Sequence, residues 1–323
     1  MTEHRAAIFA DDILDRAVVP GYSSLGFALR RRFWPDDDPT PGALAGATTI
    51  VTGANSGIGK AIAAALAQLG ATVIMTVRDE ERGHEARREL LADQPHVDLV
   101  VERCDLSKLD DVRSFIDRIS GQTPKIDAII HNAGVMPPLR SQTPDGHELT
   151  LATHVLGPVL MTELAQPLLA ASTDPRIVFM SSGGMYTQPL PSTDPEYQLG
   201  HYRAATAYAR TKRIQVALTP ILAERWAAGG CMVATMHPGW ADTPGLAQSL
   251  PRFRAMTRAF LRNADQAADT AVWLTATSPT PLSGLFWHDR RSRPTHYRNA
   301  TRFTEAQRDE VWRYCASSID VNP

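Results

Sequence analysis

The sequence predicts an α/β fold, built as one doubly wound parallel sheet of about seven strands with helices on both of its faces. From Thr48 onward, short β-branched runs alternate with Ala- and Leu-rich helical stretches, which is the pattern of a parallel sheet covered by helices. The chain has 323 residues, 43% of them hydrophobic and 21% charged, and an α/β fold of this size is often one domain. We therefore expect one sheet with its core on both sides.

Seven segments have the composition and length of buried strands. They are residues 48–51, 71–77, 97–104, 126–130, 176–180, 231–237 and 284–287. Between them, helical periodicity begins near Lys60, Glu80, Leu109, Thr150, Tyr208 and Ala264. No internal repeat is found, so strands and helices are expected to alternate along the whole domain.

We expect three parts: an N-terminal arm and linker (1–46), the sheet domain (47–288) and a C-terminal tail with a helix (289–323). Apolar residues recur in the arm at helical spacing, at Ile8, Phe9, Ile13, Leu14, Ala17 and Val18. Such a face, with basic residues near it, contacts a membrane surface or packs on the domain or on a second subunit, and packing is the favoured interpretation. The tail helix is opened by Thr304-Glu-Ala-Gln307, a capping box.

The composition argues against several classes of protein. The formal net charge is −2 and no basic stripe with interleaved aromatic residues is present, so we expect no nucleic-acid partner. No apolar stretch reaches the length that spans a bilayer, and the N-terminus lacks the pattern of a signal peptide, which favours a cytoplasmic location. Cys104, Cys231 and Cys315 lack the spacing of metal ligands or disulfides, so we expect buried thiols and no metal site.

The segment Thr52-Gly-Ala-Asn-Ser-Gly-Ile-Gly59 joins the first predicted strand to the first helix. Gly53 permits a sharp turn, Gly57 lets the backbone approach a pyrophosphate, and Gly59 lets the helix pack closely on the strand. The helix N-terminus offers free N–H groups and the positive end of its dipole to an anion. Many strand-to-helix turns without a ligand are also rich in glycine, but the flanking strand and helix favour a dinucleotide site of Rossmann type.

Val77-Arg78-Asp79 follows the second predicted strand, where dinucleotide-binding folds place the side chain that contacts the adenosine ribose. A carboxylate there selects NAD, whereas an arginine pairs with the 2′-phosphate of NADP through charge-assisted hydrogen bonds. We therefore expect NADP(H) in preference to NAD(H). Of the 33 lysines and arginines only four are lysines, so a merely solvated Arg78 is the competing interpretation, and the neighbouring Asp79 complicates the assignment.

Tyr208-Ala-Arg-Thr-Lys212 places a phenol and an ammonium one turn apart on one helix face. A tyrosine must have its pKa lowered by about 3 units to act as a base near neutrality, and an ammonium at about 4 Å supplies roughly 4 kcal/mol toward this. Tyr208 then exchanges a proton with an alcohol or carbonyl oxygen while a hydride moves to or from a nicotinamide cofactor. We predict that Tyr208 and Lys212 are the catalytic acid/base pair, with Lys212 also binding the nicotinamide ribose.

These motifs, in this order, resemble the classical short-chain dehydrogenase/reductase family. The matching segments are the glycines spaced G-x-x-x-G-x-G after Thr52, Cys104-Asp-Leu106, His131-Asn-Ala-Gly134, the Tyr208/Lys212 pair and His237-Pro-Gly-Trp-Ala-Asp-Thr243. The resemblance implies that Asp105 contacts the adenine and Thr243 the nicotinamide carboxamide. The implied cofactor site comprises Gly53, Asn55, Ser56, Gly57, Ile58, Gly59, Arg78, Asp105, Leu106, Asn132, Ala133, Gly134, Tyr208, Lys212, Pro238, Gly239 and Thr243.

A strand that runs into Ser181-Ser-Gly-Gly184 precedes the tyrosine. By resemblance to the family, Ser182 is the catalytic serine that hydrogen-bonds the substrate oxygen, although serines that end strands are usually turn formers. The separation between Ser182 and Tyr208 is long for the family. It implies an inserted loop at residues 183–207 that shapes the substrate pocket.

Further segments are similar to the retinol-dehydrogenase-like members of this family and to its member-twelve branch. They are Ser181-Ser-Gly-Gly-Met185, residues 236–245, Ala268-Asp-Thr270, Trp273-Leu274, Asp289-Arg290, and Gly21-Tyr22 with the arginine-rich arm. The chain departs from the family at His154, where an asparagine usually bends the helix and holds a water between the lysine and solvent. His154 is either a proton relay that holds the same water, since the ordinary pKa of histidine lies near neutrality, or a packed helix residue, or the mark of a weakened enzyme.

The leading hypothesis is an oxidoreductase that transfers a hydride between NADP(H) and the hydroxyl or carbonyl group of a small apolar substrate. Its predicted catalytic residues are Ser182, Tyr208, Lys212 and His154. The alternative is an NADP(H)-binding sensor or scaffold protein with weak or no turnover. The resemblance also makes a homo-oligomer an option, since members of the family are often dimers or tetramers.

Overall fold

In the computed structural model, which describes residues 11, 15, 18–249 and 251–323, eight strands form one sheet in the order β3-β2-β1-β4-β5-β6-β7-β8. Their bounds are β1 Thr48–Thr52, β2 Thr72–Val77, β3 Asp98–Arg103, β4 Ala128–His131, β5 Arg176–Met180, β6 Met232–Met236, β7 Leu285–His288 and β8 Arg291–Ser292. Strands β1 to β7 pair in parallel, and β8 pairs antiparallel to β7. The predicted doubly wound parallel sheet is confirmed. The sequence does not predict the eighth strand, β8, because a two-residue strand is too short to carry a periodic pattern.

The helices cover both faces of the sheet. Their bounds are α1 Val18–Tyr22, α2 Ser24–Arg31, α3 Gly57–Gln68, α4 Glu80–Asp93, α5 Leu109–Ser120, α6 Leu149–Leu151, α7 Gly157–Leu164, α8 Gln166–Leu169, α9 Ala204–Arg225, α10 Pro244–Ser249, α11 Pro251–Thr257, α12 Ala264–Ala276 and α13 Glu305–Ser318. A π-helical turn, Ala152–Leu156, joins α6 to α7, and 3₁₀ turns lie at Gly183–Thr187, Ala227–Gly229, Arg258–Phe260 and Asn299–Thr301.

Successive strand residues point to opposite faces and build two cores. Ile50 of β1 belongs to the core that contains buried side chains of α5, α9 and α13. Its neighbour Val51 belongs to the core that contains buried side chains of α3 and α12. The sheet is therefore buried on both faces, which agrees with the continuous apolar runs of its strands.

Two helices begin earlier than the sequence predicts. The first helix of the sheet domain, α3, begins at Gly57 rather than near Lys60, and α9 begins at Ala204 rather than at Tyr208. Alanine has the highest helix propensity, and the alanines before Tyr208 extend α9 toward its N-terminus. The predicted loop at 183–207 is consequently shortened to residues 188–203, between a 3₁₀ turn and α9.

The described part of the N-terminal arm lies against the sheet domain. Tyr22 and Phe27 are buried, whereas Val18, Leu25 and Phe33 are exposed. Of the apolar stripe predicted in the arm, Ile8, Phe9, Ile13, Leu14 and Ala17 lie outside the described residues. No helix in the described ranges is long and apolar enough to cross a membrane.

The C-terminal tail ends in α13, which the predicted capping box opens. Thr304 accepts a hydrogen bond from the backbone N–H of Gln307, and the Gln307 side chain bonds back to the Thr304 N–H. The inward face of α13 joins the core through Trp312 and Cys315. All three cysteines of the chain are buried, as expected.

Candidate active site

A cavity of about 690 Å³ lies along the carboxyl ends of the parallel strands, where open α/β sheets bind ligands. Its volume lies in the usual range for a small-molecule site. Apart from Lys212, every residue predicted to bind the cofactor lines this cavity, and so does Ser182. The remaining two predicted residues, Lys212 and His154, are buried behind the cavity wall.

The turn between β1 and α3 leaves no room for a side chain at its last glycine. A Cβ atom at Gly59 would collide with the Gly53 carbonyl and the Asn132 side chain. Gly57 has a positive φ of 54°, a conformation that glycine adopts at low cost. Ser56 occupies the N-cap position without capping α3 by its side chain, and the first residues of α3, Gly57, Ile58 and Gly59, line the cavity. Free N–H groups at a helix N-terminus suit a pyrophosphate.

A hydrogen-bond network joins this turn to the loop after β4. The Thr52 hydroxyl accepts hydrogen bonds from the N–H groups of Asn132 and Ala133, both at 3.0 Å. The Asn132 side chain donates to the Thr52 carbonyl at 2.9 Å. Asn132 therefore holds the walls of the cavity together, a role that its motif alone does not specify.

Charged side chains line one end of the cavity, which we call the arginine end, formed by Arg78, Asp79, Arg82 and Asp105. Arg78 is exposed just after β2. The Asp79 carboxylate caps α4 by accepting a hydrogen bond from the Arg82 N–H at 3.2 Å. Asp79, which complicates the choice between NADP(H) and NAD(H), therefore serves as a helix cap. Arg82 is not predicted from the sequence, and the only signal for it is its place in the first turn of the helix that follows β2.

At the opposite end, α9 presents Tyr208 to the cavity, with Lys212 one turn further along. The Ser182 side chain lies close enough to the Tyr208 phenol to lower the pKa of that phenol. The Lys212 ammonium lies 5.5 Å from the centre of the Tyr208 ring and donates to the Met180 carbonyl at 2.6 Å. The Ser181 hydroxyl bonds the Lys212 carbonyl at 2.9 Å, which fixes α9 to the end of β5. The three predicted side chains are thus brought together.

The expectation that Lys212 lowers the pKa of Tyr208 is wrong when the protein's own residues are considered without a cofactor. Burial raises the pKa of Tyr208, and the nearby Ser182 side chain lowers it by a smaller amount. Burial also lowers the pKa of Lys212 to about 7, which weakens its positive charge near neutrality. Tyr208 is therefore a protonated phenol at neutral pH, poised to donate rather than to accept a proton.

His154 lies in the π-helical turn, wholly buried, and both of its ring nitrogens have partners. Its Nε2 accepts the Val135 N–H at 2.9 Å, and its Nδ1 bonds the Thr211 hydroxyl at 2.8 Å. Because a backbone N–H can only donate, Nδ1 carries the proton, and the Thr211 hydroxyl donates onward to the Tyr208 carbonyl. The His154 carbonyl accepts from Gln215 at 2.7 Å. Burial lowers the pKa of His154 well below its ordinary value, so this geometry favours the packed interpretation over the relay.

Four apolar side chains, those of Met136, Trp240, Leu246 and Phe253, also line the cavity. We call its catalytic end, with Ser182 and Tyr208, the tyrosine end. The rings of Trp240 and Phe253 meet edge to face at 5.1 Å. Among the described residues that line the cavity, the four charged ones all belong to the arginine end. None of these four apolar residues is predicted as a site residue, because an apolar pocket wall has the same composition as a core.

Comparison with known proteins agrees with the motifs. The family model for short chain dehydrogenase matches residues 47–252. Dehydrogenase/reductase SDR family member 12 of Bos taurus is 38% identical over 85% of this chain and 86% of its own length. Retinol dehydrogenase 14 of Homo sapiens is 34% identical over 77% of this chain and 80% of its own. These two relatives are a member twelve and a retinol dehydrogenase, as the similarity of the arm and loop segments predicts.

Among solved structures, an uncharacterized protein from Mycobacterium paratuberculosis has a TM-score of 0.68 and 26% identity, over 88% of this chain and 98% of its own. Its fold matches the sheet and the helices described above. Sequence, cleft and fold lead to one family, which the motifs predict. The chain belongs to the short-chain dehydrogenase/reductase family and is an NAD(P)-dependent oxidoreductase.

Proposed function

We propose that this oxidoreductase transfers a hydride between NADP(H) and the carbonyl or hydroxyl group of a small, apolar, uncharged substrate, with Tyr208 as the acid/base. The observation that carries the proposal is the tyrosine end of the cavity. There Ser182 and Tyr208 line the same cavity as the apolar side chains of Met136, Trp240, Leu246 and Phe253. The charged lining residues lie at the other end, which favours an uncharged substrate because a buried charge without a partner is costly.

The cavity suits the cofactor along its whole length. The uncapped N-terminus of α3 would bind the pyrophosphate, and Pro238, Gly239 and Thr243 would bind the nicotinamide end. At the arginine end, Arg78 and Arg82 offer two guanidinium groups to a 2′-phosphate. With Asp79 engaged as the cap of α4, this end supports NADP(H) rather than NAD(H).

The cofactor supplies the hydride, and the protein's own residues supply the proton and the positioning. Tyr208, protonated at neutral pH, donates its proton to the carbonyl oxygen of the substrate. Ser182 donates a hydrogen bond to the same oxygen and so orients it. Lys212 is held by a hydrogen bond to the Met180 carbonyl, one helical turn from Tyr208, and would bind the nicotinamide ribose.

One relative, at 34% identity, is named a retinol dehydrogenase, and retinol is an apolar alcohol. An aromatic wall formed by Trp240 and Phe253 suits flat or extended apolar molecules. We therefore propose apolar alcohols, aldehydes and ketones as the substrate class.

The test is NADPH oxidation with a panel of aldehydes, ketones, steroids and quinones. At least one member is expected to be reduced, and Tyr208→Phe is expected to abolish this activity while NADPH binding persists. Tyr197→Phe is the matched control, because its hydroxyl bonds the His201 carbonyl at the surface. Undiminished activity of Tyr208→Phe would overturn the mechanism. Binding of NADPH without reduction of any panel member would favour the sensor or scaffold alternative.

A further inference from the structure

Tyr22 lies in the N-terminal arm, outside the residues that the family model matches, yet it is among the well-buried side chains, with 3% exposure. Its ring lies 4.5 Å from that of His237, 5.2 Å from that of His288 and 6.1 Å from that of Trp240. His237 directly precedes the loop proposed to bind the nicotinamide, Pro238 to Thr243, and Trp240 lies within it. The arm thus reaches the catalytic end of the cleft from behind.

The same ring presses on the backbone beside the catalytic serine. A Cβ atom at Gly183, the residue after Ser182, would lie 2.5 Å from Cε2 of Tyr22, closer than real Cβ contacts. Gly183 therefore has no side chain because the Tyr22 ring occupies that space. Any movement of this ring changes the support of the segment that carries the Ser182 hydroxyl.

The main chain of Tyr22 holds the opposite wall. Its carbonyl accepts a hydrogen bond from the Trp240 N–H at 2.8 Å and another from the Arg262 Nε at 3.2 Å. A Cβ atom at Gly239 would also lie 2.8 Å from this carbonyl. One residue of the arm therefore contacts both segments between which substrate and nicotinamide would meet.

Buried charges fix the arm in this place. Arg30 donates to the Gly21 carbonyl at 2.6 Å and to Asp289 at 2.7 Å. Arg262 bonds both oxygens of Asp289, at 2.6 and 2.8 Å. Since Arg262 also bonds the Tyr22 carbonyl, the backbone at residues 21–22 is clamped from two sides and has little freedom to move.

We propose that Tyr22 is a positioning residue for the hydride transfer. Its ring fixes the position of Ser182, and its carbonyl fixes the position of the nicotinamide-binding loop through the Trp240 N–H. This inference rests on the proposed function, since positioning is measured through turnover. A misplacement of about 1 Å at a reacting group can cost on the order of 100-fold in rate. The arm is accordingly a functional part of the active site.

The experiment combines Tyr22→Ala and Tyr22→Phe with Ser182→Ala in the full chain. Tyr22→Ala is expected to lower kcat by about 10- to 100-fold, with a smaller change in the KM for NADPH, and Tyr22→Phe is expected to restore most of kcat because it keeps the ring. In the Ser182→Ala background, Tyr22→Ala is expected to cause little further loss, since residues that act through one another are not additive.

Two controls separate positioning from loss of fold. Ile116→Ala, a change at a buried residue of α5 that does not line the cleft, is expected to lower Tm without lowering kcat per NADPH-binding site. If Tyr22→Ala does not fold, Gly183→Ala serves instead, since its new methyl group displaces the same ring. An unchanged kcat per binding site, or a loss fully additive with that of Ser182→Ala, would overturn the inference.

Failure of the proposed function gives a different result. If the wild-type protein binds NADPH but reduces nothing, the proposed function fails, and the Tyr22 inference then rests on the fluorescence of bound NADPH. Tyr22→Ala is expected to diminish the blue shift of this emission, because the nicotinamide loop is no longer held by the arm. An unaltered emission in that variant would overturn the inference.

Discussion

Tyr208 and Lys212 lie one turn apart on α9, but their pKa values are set by burial more than by each other. Their pairing is predictable because a four-residue spacing on a helix leaves a pattern in the sequence. Their desolvation is not predictable from the sequence, because it depends on the many side chains that the fold packs around them. The same limit explains why Arg82 is not predicted, since a cavity-facing arginine and a solvated one look alike in a chain with few lysines.

The pH dependence follows from the direction of the Tyr208 shift. Because burial raises the pKa of Tyr208, the phenol stays protonated through neutrality and the phenolate forms only at alkaline pH. Carbonyl reduction should therefore fall as the pH rises through this pKa, while alcohol oxidation should rise over the same range. Initial rates in both directions over about four pH units test this. Oxidation that is fastest below neutrality would contradict the assignment of Tyr208.

The arginine end of the cavity predicts cofactor preference. Arg78→Asp is expected to weaken NADPH binding by about 10- to 100-fold, since hydrogen bonds to charged groups contribute about 1.5–3 kcal/mol. NADH binding should change much less, because NADH lacks the 2′-phosphate. Fluorescence titration with both cofactors measures this, with the exposed Arg88→Asp on α4 as the control for charge alone. Equal losses for the two cofactors would show that Arg78 does not contact the 2′-phosphate.

Among the secondary-structure elements, the strands are the best predicted, because buried parallel strands are short apolar runs bounded by turn residues. All seven predicted strands are present, and Arg176–Met180 agrees at both ends. The π-helical turn around His154 is not predictable, since a shifted hydrogen-bond register has no compositional signal. The inserted loop at 188–203 is inferred from the spacing of Ser182 and Tyr208. The contacts that hold this loop are not predictable: Glu196 accepts hydrogen bonds from His147 and from the Tyr314 hydroxyl of α13.

The π-helical turn gives His154 a structural role that can be tested. His154→Phe keeps the ring but leaves the Val135 N–H without its acceptor, which should cost about 1–3 kcal/mol in the free energy of unfolding. The pH profile of kcat should keep its shape, because a buried neutral imidazole carries no proton to solvent. Denaturation and pH–rate measurements on one preparation check both. A lost or shifted limb of the profile would instead support the relay.

At the scale of the whole molecule, the arm and the tail close around the sheet domain, whose boundaries at 47–288 stay a prediction. Asp289, directly after β7, is fully buried and joins Arg30 of the arm to Arg262 before α12. Sequence alone cannot identify this cluster, because its members are far apart in the chain and each resembles a surface charge. The cytoplasmic location and a homo-oligomer likewise stay predictions.

The buried cluster predicts a large effect of one substitution. Burial opposes ionisation of Asp289, but His288 and the two arginines hold its pKa well below the ordinary range. A lowered pKa contributes stability above the unfolded value near 3.9, and this stability is lost as the pH falls toward the folded value. Asp289→Asn should thus cost roughly 3–5 kcal/mol at neutral pH, and less in strong acid.

Denaturant unfolding at several pH values measures this difference. Asp320→Asn is the matched control, because Asp320 is 89% exposed and its contact with Arg113 spans 3.7 Å. It should change the free energy of unfolding by well under about 1 kcal/mol. An equally small effect of Asp289→Asn would show that the arm and tail are not held by this cluster.

The most direct test of hydride transfer with Tyr208 as the acid is isotopic. NADPH that carries deuterium at the transferred position is incubated with an apolar aldehyde or ketone, and the alcohol is examined by mass spectrometry. The wild-type protein should place deuterium on the carbinol carbon, and Tyr208→Phe should slow this incorporation by about 100- to 10,000-fold. Oxidation of NADPH without deuterium in the product, or incorporation by Tyr208→Phe at the wild-type rate, would contradict the account.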